Sequence, residues 1–511
     1  MNAASPNTDK PTGRWLPSFS AMIWVVLFLG LTLTSARTVL ISADSDPALH
    51  RQLGNWMIQN HTIVHEDNLL HTYHGPTIAK EWASEIFFAA ASRCLGWNGF
   101  VLIAASLIAT CFWLLHRQLL AEGCDAALAT GLVLVAMLTC SMHWLARPLL
   151  FTHLLALVFA WLLRWFQQGR VSARRLFLVL TPLMVLWANL HGAFMTGLVL
   201  IAMHAVGSAI DASRHSVPPA KYKLLVVLLL VCSAASLANP MGWELYAHIL
   251  NFFRSHELTT MTTEFASPNF HTTGMRGLLF LLLLLAAALM IVRPKLHATD
   301  VLVIGGWGCL VLLSARNVPI FALVTTPYLA QWLTEFMRSH ENSRWCRLYR
   351  ESTGSELVVS HTAGGVLMIA AFVSVLLLMA KPRIAGGPPI LITHLPSSRY
   401  PVVAVDYLQS HPRVVHGEMF NYFLWGGYLD FALPEWKPFI DSRTDMYGLE
   451  LVHEFETAND PKPGWEAVFA KYNVGWTLLP VQHPLNQILQ LRPDWQPVFS
   501  NEQAVVFARA S

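Results

Sequence analysis

The sequence predicts an all-α polytopic membrane domain followed by a C-terminal α/β soluble domain. Of its 511 residues, 54% are hydrophobic and 13% are charged, whereas about a quarter of the residues in a soluble domain are charged. The long apolar runs end near residue 380, and all seven cysteines lie at or before Cys346. We therefore expect an N-terminal tail (1–19), a membrane domain (20–380) and a soluble domain (381–511) that has no disulfides.

Eleven apolar runs are candidates for membrane helices, since about 20 apolar residues span the core of a bilayer. Several runs are shorter than this, so the paired ones are expected to form hairpins. The run 82–95 is expected to be a helix on the outer surface or a re-entrant helix. The first run ends in Thr-Ser-Ala, which fits a signal-peptide cleavage site, but its length favours a retained anchor. The eleven runs lie near 20–41, 98–116, 126–144, 149–163, 176–190, 192–210, 222–238, 276–292, 300–314, 317–334 and 363–380.

Basic residues indicate the orientation of the chain in the membrane. The segments on one side carry 16 Lys and Arg residues, whereas the longer segments on the other side, up to residue 380, carry eight. Because short cytoplasmic loops are enriched in Lys and Arg, the N-terminus is expected inside. With eleven crossings, the soluble domain then lies outside the cytoplasmic (inner) membrane of a bacterium.

The first outer loop, 42–97, begins with an acidic pair. Asp44 and Asp46 are separated by one serine, and Pro47 follows. Asp before Pro is typical of a helix start, so Asp46 is expected to cap a helix near 47–59 that lies on the membrane surface. Asp44 is not expected to cap a helix, and partial burial would raise the pKa of its carboxylate and so increase its basicity. We therefore expect Asp44 to act as a general base, with a plain solvated carboxylate as the alternative.

Other conspicuous polar residues fall on the same side of the membrane. An anion is the natural partner of an arginine at membrane depth, so Arg147, Arg316 and a protonated His191 are candidates to bind a phosphate. For Arg147, the alternative is a side chain that extends to the lipid–water interface. For His191, the alternative is a hydrogen bond between two helices. Glu81 is a further candidate acid, although Glu81 and Glu85 also suit the start of a helix. The cluster predicts an active site at the outer membrane surface.

The tail contains two polar-aromatic segments that are expected to be loops. Trp425 and Tyr428 belong to W-G-G-Y, and Asp441, Arg443 and Asp445 belong to D-S-R-T-D. Such segments are typical of sugar-binding surfaces, and the alternative is a set of turn glycines with a buried Asp–Arg pair. Helices are predicted at 402–410 and 465–472, strands at 437–441 and 474–479, and a hairpin at 496–500 and 504–508.

Taken with the long first loop and the external tail, these motifs resemble the C-type glycosyltransferase (GT-C) superfamily, and in particular a group of bacterial membrane proteins within it. The resemblance covers nearly the whole chain after residue 20. The sequence departs from the pattern at Ala48, Leu49 and Asn317. The matching residues are Asp44, Asp46, His50 and Gly54, Asp67, Glu81-Trp82, Arg147-Pro148, Asn189 and His191 in W-x-N-x-H-G, Asn239-Pro240-x-Gly242, Glu264-x-x-Ser267-Pro268, W-G-G-Y at Trp425 to Tyr428, and Asp441, Arg443 and Asp445.

The resemblance implies transfer of a sugar from a polyprenyl-phosphate or polyprenyl-diphosphate donor to an acceptor at the outer face. It implies Asp44, Asp46 and Glu81 as catalytic residues and Arg147, His191 and Arg316 as ligands of the donor phosphate. Some superfamily members bind a divalent metal near the acidic pair, so a metal at Asp44, Asp46 and Glu81 is an open expectation. The residues implied in substrate or acceptor binding are His50, Trp82, Asn189, Glu264, Trp425, Tyr428, Asp441, Arg443 and Asp445.

Two other function classes remain open from the sequence. A lipid-linked glycan transporter would need charged residues through both leaflets, and few of the apolar runs carry any at mid-membrane. A non-catalytic glycan-binding or assembly protein would retain the fold without the base. The expected partners are a lipid-linked sugar and membrane lipids, and no nucleic-acid-binding patch is expected.

Overall fold

The structure is a computed structural model, and it describes residues 18–214, 218, 220–340, 342–344, 346, 347, 349, 361–380 and 390–510. The predicted N-terminal tail lies outside the described residues except for its last two positions. The predicted start of the soluble domain at 381 also lies outside them, so the domain boundaries stay a prediction.

Each of the eleven predicted membrane runs contains a helix. Among the described residues, seven helices are long and apolar enough to cross a membrane, and an eighth span results if α1 and α2 are counted together. The chain is therefore a multi-pass membrane protein, while crossing by α10, α14 and α15 stays a prediction. The helices of this half are α1 (Phe19–Leu33), α2 (Ala36–Ser42), α3 (Asp46–Asn60), α4 (Trp82–Leu95), α5 (Trp97–Ala121), α6 (Ala126–Cys140), α7 (Leu149–Gln167), α8 (Ala173–Leu190), α9 (Met195–Ser213), α10 (Ala220–Ala235), α11 (Trp243–Arg254), α12 (His256–Met261), α13 (Arg276–Val292), α14 (Ala298–Leu313), α15 (Val318–Ser339) and α16 (His361–Ala380).

The first predicted run, 20–41, is not one straight helix. It breaks between α1 and α2, which are bent by 73°. Thr34 lies at the break, where its hydroxyl donates to the carbonyl of Gly30 at 2.6 Å and accepts the N–H of Ala36 at 3.2 Å. The side chain thus satisfies backbone groups that the break leaves free. The bend directs the chain from α1 to the acidic pair.

Helices α3 and α4 of the first outer loop pack closely against each other. Gly54 lies at their contact, where a Cβ atom would be only 2.1 Å from the carbonyl oxygen of Glu85. Glycine is therefore required for this approach. Because His50 lies one turn before Gly54, the close packing brings its imidazole to the Glu85 carboxylate. The helix 82–95 was expected on the outer surface or re-entrant, and it is not among the apolar spans of the described residues.

The C-terminal part is an α/β domain built on a four-stranded sheet of order β1-β2-β4-β3. Strands β1 and β2 are parallel, and the other two pairs are antiparallel. The predicted helices at 402–410 and 465–472, the strand at 474–479 and the final hairpin are confirmed. The elements are α17 (Val402–Ser410), β1 (Glu418–Asn421), α18 (Gly426–Ala432), α19 (Thr444–Asn459), α20 (Trp465–Lys471), β2 (Val474–Pro480), α21 (Pro484–Gln490), β3 (Trp495–Ser500) and β4 (Ala504–Arg509).

The predicted strand at 437–441 is wrong. Its backbone is held by one buried side chain instead of a neighbouring strand. The Asn421 amide oxygen accepts the N–H of Phe439 at 2.8 Å, and the amide nitrogen donates to the carbonyl of Ile440 at 3.0 Å. Because the amide replaces the partners that a strand would need, the segment stays irregular.

The first outer loop is part of the hydrophobic core of the C-terminal domain. Leu70 is fully buried among the aromatic residues of that domain. Thr72 donates to the carbonyl of Phe439 at 2.6 Å. The guanidinium of Arg51 lies 4.6 Å from the ring centre of Trp97 and 4.4 Å from that of Phe431. The loop and the domain therefore form one packed unit.

Candidate active site

Arg147 joins three carboxylates from two loops that are distant in sequence. Its guanidinium contacts Asp44, lies 2.9 Å from Asp46 and lies 3.0 Å from Glu264. Arg316 lies 3.5 Å from the other oxygen of Glu264. The structure therefore brings Asp44, Asp46, Arg147, Glu264 and Arg316 together. We call these five residues the arginine cluster.

Backbone hydrogen bonds fix the loops that carry the arginine cluster. Ala146, next to Arg147, donates its N–H to the carbonyl of Leu40 at 2.7 Å, at the end of α2. Ala315, next to Arg316, donates to the carbonyl of Ala266 at 2.9 Å, in the loop that carries Glu264. Each arginine is thus attached through its neighbour to the loop of the carboxylate that it contacts.

The local roles of the two aspartates differ from the prediction. Asp46 is the first residue of α3, and Ser45 precedes it as the capping position without a side-chain cap bond. Instead, the Asp44 carboxylate accepts the N–H of Asp46 at 3.1 Å. Asp46 is therefore not the cap, because its side chain turns to Arg147 instead of to its own helix.

The charges of the arginine cluster do not balance, since three carboxylates share two guanidinium groups. Burial raises the pKa of Asp44 to about 7, with repulsion from Asp46 and Glu264, although Arg147 opposes this. Burial would also raise the pKa of Glu264, but Arg147 and Arg316 together lower it to about 2. Glu264 contacts both arginines, and this explains why its pKa is lower than that of Asp44, although both carboxylates contact Arg147. Asp44 therefore titrates near neutral pH, whereas Glu264 stays an anion.

A second group of titratable residues lies beside the arginine cluster. The His50 Nδ1 atom is 3.1 Å from Glu85, and its Nε2 atom is 3.6 Å from Glu81. His191 Nε2 is 3.2 Å from the other oxygen of Glu81. His50, Glu85 and His191 are all buried. We call His50, Glu81 and Glu85 the His–Glu triad.

His191 is not available as a cation for a phosphate, contrary to the prediction. Its Nδ1 atom accepts the N–H of Ala193 at 3.2 Å and lies 2.9 Å from the hydroxyl of Thr152. The proton of a neutral imidazole is therefore on Nε2, which donates to Glu81. His191 thus orients Glu81 and carries no positive charge in this arrangement.

Trp82 and Asn189 connect α4 to α8. The indole N–H of Trp82 donates to the amide oxygen of Asn189 at 3.0 Å. The amide nitrogen of Asn189 donates to the carbonyl of Ala238 at 2.8 Å. These two candidate binding residues therefore hold each other in place, and both are partly exposed.

Two residues that the sequence analysis did not select contact Asp445. The carboxylate of Asp445 accepts from His248 at 2.8 Å and also contacts Lys80. Lys80 belongs to the first outer loop, His248 to α11 and Asp445 to the C-terminal domain. The position of Lys80 directly before Glu81 was an available signal, whereas nothing local indicated His248. Asp445 thus joins the first loop, α11 and the C-terminal domain.

The expected sugar-binding surface in the tail is not supported by the positions of its residues. Trp425 is buried and donates its indole N–H to the carbonyl of Arg399 at 2.9 Å. Tyr428 is buried with its ring centre 4.9 Å from that of Tyr400. Asp441 is fully buried and binds Arg443, which also contacts Asp67 at 2.7 Å. These residues pack the domain and attach the first outer loop, which corresponds to the buried Asp–Arg alternative.

A metal was expected at the acidic pair, but the positions of its residues do not fit one. The Arg147 guanidinium contacts both Asp44 and Asp46 and therefore takes the place that a cation would take between them. Among the described residues, the group that offers metal ligands in reach of one another is the His–Glu triad, with one ligand atom from each residue within 4.8 Å of the others.

Comparison with solved structures finds this arrangement of domains in known proteins. The archaeal oligosaccharyltransferase AglB from Archaeoglobus fulgidus, in complex with an inhibitory peptide and a dolichol-phosphate, is similar with a TM-score of 0.55 and 14% identity, over 91% of this chain and 69% of AglB. ArnT from Cupriavidus metallidurans, bound to undecaprenyl phosphate, is similar with a TM-score of 0.51 and 14% identity, over 96% of this chain and 98% of ArnT. No protein-family model and no curated protein matches the chain. The chain therefore has the fold of the GT-C membrane glycosyltransferases.

Proposed function

We propose that the protein is a membrane glycosyltransferase that moves a sugar from a polyprenyl-phosphate or polyprenyl-diphosphate donor to an acceptor at the outer face of a bacterial inner membrane. The observation that carries the proposal is the arginine cluster, where a carboxylate that titrates near neutral pH lies against a buried guanidinium. The two similar structures hold a dolichol-phosphate and undecaprenyl phosphate, respectively, and this supports a lipid phosphate as the donor carrier.

Asp44 is the proposed general base. A base must be ionised at the working pH yet hold a proton well, and a pKa of about 7 suits both needs. In the transfer, Asp44 takes the proton of the acceptor hydroxyl while the hydroxyl oxygen bonds to the anomeric carbon. The bond from that carbon to the phosphate oxygen breaks, and its electron pair leaves with the lipid phosphate. Attack on the face opposite the phosphate inverts the anomeric centre.

Arg316 is the proposed ligand of the donor phosphate. Its side chain is 30% exposed, and its 3.5 Å contact with Glu264 is long, so part of its hydrogen-bonding capacity is free. Arg147 is committed to three carboxylates and neutralises charge around Asp44. A guanidinium at the phosphate stabilises the negative charge that develops as the lipid phosphate leaves.

Asp46 and Glu81 are proposed to position the reacting groups. Asp46 shares Arg147 with Asp44 and thereby fixes the distance between the base and the guanidinium. Glu81 lies between His50 and His191 and is the next candidate base if Asp44 is not the proton acceptor. The N-terminus is proposed to be inside and the C-terminal domain outside, as the distribution of basic residues predicts.

The test is turnover by full-length protein in nanodiscs with a panel of polyprenyl-phosphate and polyprenyl-diphosphate sugars. Asp44→Asn keeps the size of the side chain but removes the base, so transfer should fall by roughly 10²–10⁴-fold while donor binding is retained. Asp494→Asn, on the exposed surface of the C-terminal domain, is the matched control and should transfer at the wild-type rate.

Two results would contradict the proposal. If Asp44→Asn transfers sugar at the wild-type rate, Asp44 is not the base. If the wild type binds lipid-linked sugars without consuming any of them, a glycan-binding or assembly role replaces catalysis. Movement of intact lipid-linked sugar between leaflets would instead support the transporter.

A further inference from the structure

A polar cavity of about 190 Å³ lies between the first outer loop and the C-terminal domain. The loop contributes Gln52, Trp56 and Asn68 to its wall, and the domain contributes Asp430 and Lys437. Leucine and proline side chains complete the wall. Because the polar residues come from both parts, the cavity exists only while the loop is packed on the domain.

The cavity lies on the side of α3 that faces away from the candidate active site. Gln52 and Trp56 belong to the same helix as His50, whose imidazole approaches Glu81 and Glu85. At 3.6 residues per turn, two residues correspond to a rotation of about 200° and six residues to about 600°. Gln52 and Trp56 therefore project about 160° and about 120° away from the direction of His50. A ligand in this cavity does not occupy the reaction centre.

The polar side chains of the wall lack partners within the described part of the chain. The amide oxygen of Asn68 and both carboxyl oxygens of Asp430 are buried without a hydrogen-bond partner. The side chains of Gln52, Trp56 and Lys437 make no hydrogen bond or ion pair to any other described residue. Buried polar groups in folded proteins are normally paired, so these groups indicate a partner from outside the chain.

The unpaired groups match a ligand that both donates and accepts hydrogen bonds. The amides of Gln52 and Asn68 each offer two donor hydrogens and one acceptor oxygen. Burial, with repulsion from the neighbouring Asp441, raises the pKa of Asp430 well above its ordinary value. This carboxyl group is therefore neutral, and it too can donate and accept. A hydroxyl group has the same two capacities, so a ring with several hydroxyl groups satisfies this wall.

The remaining features of the wall favour an uncharged sugar ring. Trp56 is partly exposed, and the negative face of an indole suits the C–H face of a sugar ring. An anion would find one cation, Lys437, and would lie close to two carboxyl groups, those of Asp430 and Asp441. The volume is below the roughly 300–1,000 Å³ of pockets for drug-sized ligands, so it holds one ring and not an extended chain.

We propose that this cavity binds one neutral monosaccharide unit, as a second sugar site apart from the reaction centre. The bound sugar contacts the first outer loop and the C-terminal domain at once, so it holds the loop on the domain. Because α3 also carries Asp46 and His50, occupancy of the cavity stabilises the position of these residues. The proposal goes beyond the transfer reaction and does not depend on it.

Binding can be measured without turnover on full-length protein in nanodiscs of phospholipid alone, since detergents with a sugar headgroup would compete. Saturation-transfer difference NMR is recorded with neutral hexoses, pentoses and N-acetylhexosamines, and with a uronic acid and a sugar phosphate as charged probes. We expect a neutral sugar to bind with a Kd on the order of 1 mM, as for a ligand of about twelve non-hydrogen atoms. The saturation should be strongest on the C–H protons of one ring face, and this result needs no variant.

Variants of the wall assign the binding to the cavity. Trp56→Ala removes the aromatic face and should weaken binding by more than about tenfold. Trp56→Phe retains a smaller face and should bind with intermediate affinity. Gln52→Ala removes one amide and should weaken binding by about 2–12-fold. Elution as a single species and an unchanged urea midpoint confirm that each variant is folded.

Two controls separate the cavity from other surfaces. Trp243→Ala removes an indole of α11 that is 67% exposed and does not line the cavity, and it should bind the sugar like the wild type. Asp44→Asn removes the proposed base on the other side and should also bind like the wild type. Failure of the proposed transfer reaction and failure of this proposal are therefore distinguishable.

Three results would overturn the proposal. If no neutral sugar binds the wild type at about ten times the expected Kd, the cavity holds only water. If the charged probes bind in preference and Lys437→Gln abolishes their binding, the cavity is an anion site. If Asp44→Asn loses the neutral sugar while Trp56→Ala retains it, the sugar lies at the reaction centre.

Discussion

Replacing Arg443 with Gln should detach the first outer loop from the C-terminal domain. Arg443 binds Asp441 through two nitrogens at 2.9 and 2.5 Å and lies 2.7 Å from Asp67, a contact poorly aligned for a hydrogen bond. Asp430, also buried, lies beside this group, and burial raises its pKa well above the ordinary value. The variant leaves these carboxyl groups without a counterion, and removing one partner of a buried ion pair typically costs about 3–5 kcal/mol.

The pH dependence of the lost unfolding free energy follows from protonation of the carboxyl group that loses its counterion. If the freed Asp441 must take up a proton to stay buried, the cost at pH 7 is about 4 kcal/mol, from an ordinary pKa of about 3.9 and 1.36 kcal/mol per unit. At pH 5 the same cost is about 1.5 kcal/mol. The folded-state pKa of that carboxyl is raised in the variant, so the variant should regain stability as the pH falls.

Pulse proteolysis in urea measures this loss in intact protein in nanodiscs. With a slope of about 2 kcal/mol per molar urea, the midpoint for cleavage of the C-terminal domain should fall by about 2 M at pH 7 and by less than 1 M at pH 5. Arg492→Gln removes an exposed arginine that contacts Glu466 and Asp494, and it should leave the midpoint unchanged. A midpoint for Arg443→Gln that equals the wild type at pH 7 would refute the reasoning.

Three further results are expected. The kcat/KM for sugar transfer should rise with pH through about 7, because Asp44 acts only when it is ionised; a profile that is flat between pH 5 and 9 would exclude this. Trp82→Phe should lower the unfolding free energy by about 0.5–1.5 kcal/mol, since it removes the 3.0 Å hydrogen bond to Asn189, and an unchanged chemical unfolding midpoint would contradict it. Reporter fusions after residues 60, 260 and 400 should report outside, and fusions after 170 and 345 inside; the reverse pattern would invert the proposed topology.

The arginine cluster was predictable because its members are polar residues at the ends of apolar runs. A one-sided set of such residues lies at one membrane surface, so the sequence predicted a shared site there that includes Asp44, Arg147 and Arg316, but not which of them touch. Their individual partners were not predictable, because the helical and acidic patterns do not fix side-chain direction. The capping role assigned to Asp46 failed for this reason: Arg147 competes for its carboxylate.

The His–Glu triad was only partly predicted. Glu81 and His50 were selected, but Glu85 was considered only as part of a helix start. A spacing of four residues places Glu81 and Glu85 on one face of a helix, so a signal for the pair existed. The contact with His50 depends on the packing of α3 against α4 at Gly54, which is a tertiary property that no local pattern contains.

Glycines in the tail explain another missed element. The W-G-G-Y segment was expected to be a loop because glycine is a poor helix former, yet it begins α18. A Cβ atom on Gly426 would lie 2.3 Å from the carbonyl of Ile440, and one on Gly427 would lie 2.9 Å from the carbonyl of Ser45. These glycines serve close packing between segments and not a turn, and the sequence does not distinguish the two uses.

The dependence of the first outer loop on the C-terminal domain has a consequence for biosynthesis. Tyr400 donates its hydroxyl to the carbonyl of Asp44 across a separation of 356 residues. At about 5–20 residues per second, the ribosome needs roughly 20–70 s to deliver the partner after the acidic loop has emerged. During that time, the C-terminal domain is not yet present to cover the carboxylates and the apolar face of α3 at the membrane surface. The nascent chain therefore completes this contact only after its membrane helices have been made, and a polypeptide that stops before Tyr400 carries the arginine cluster without this hydrogen bond to the acidic loop.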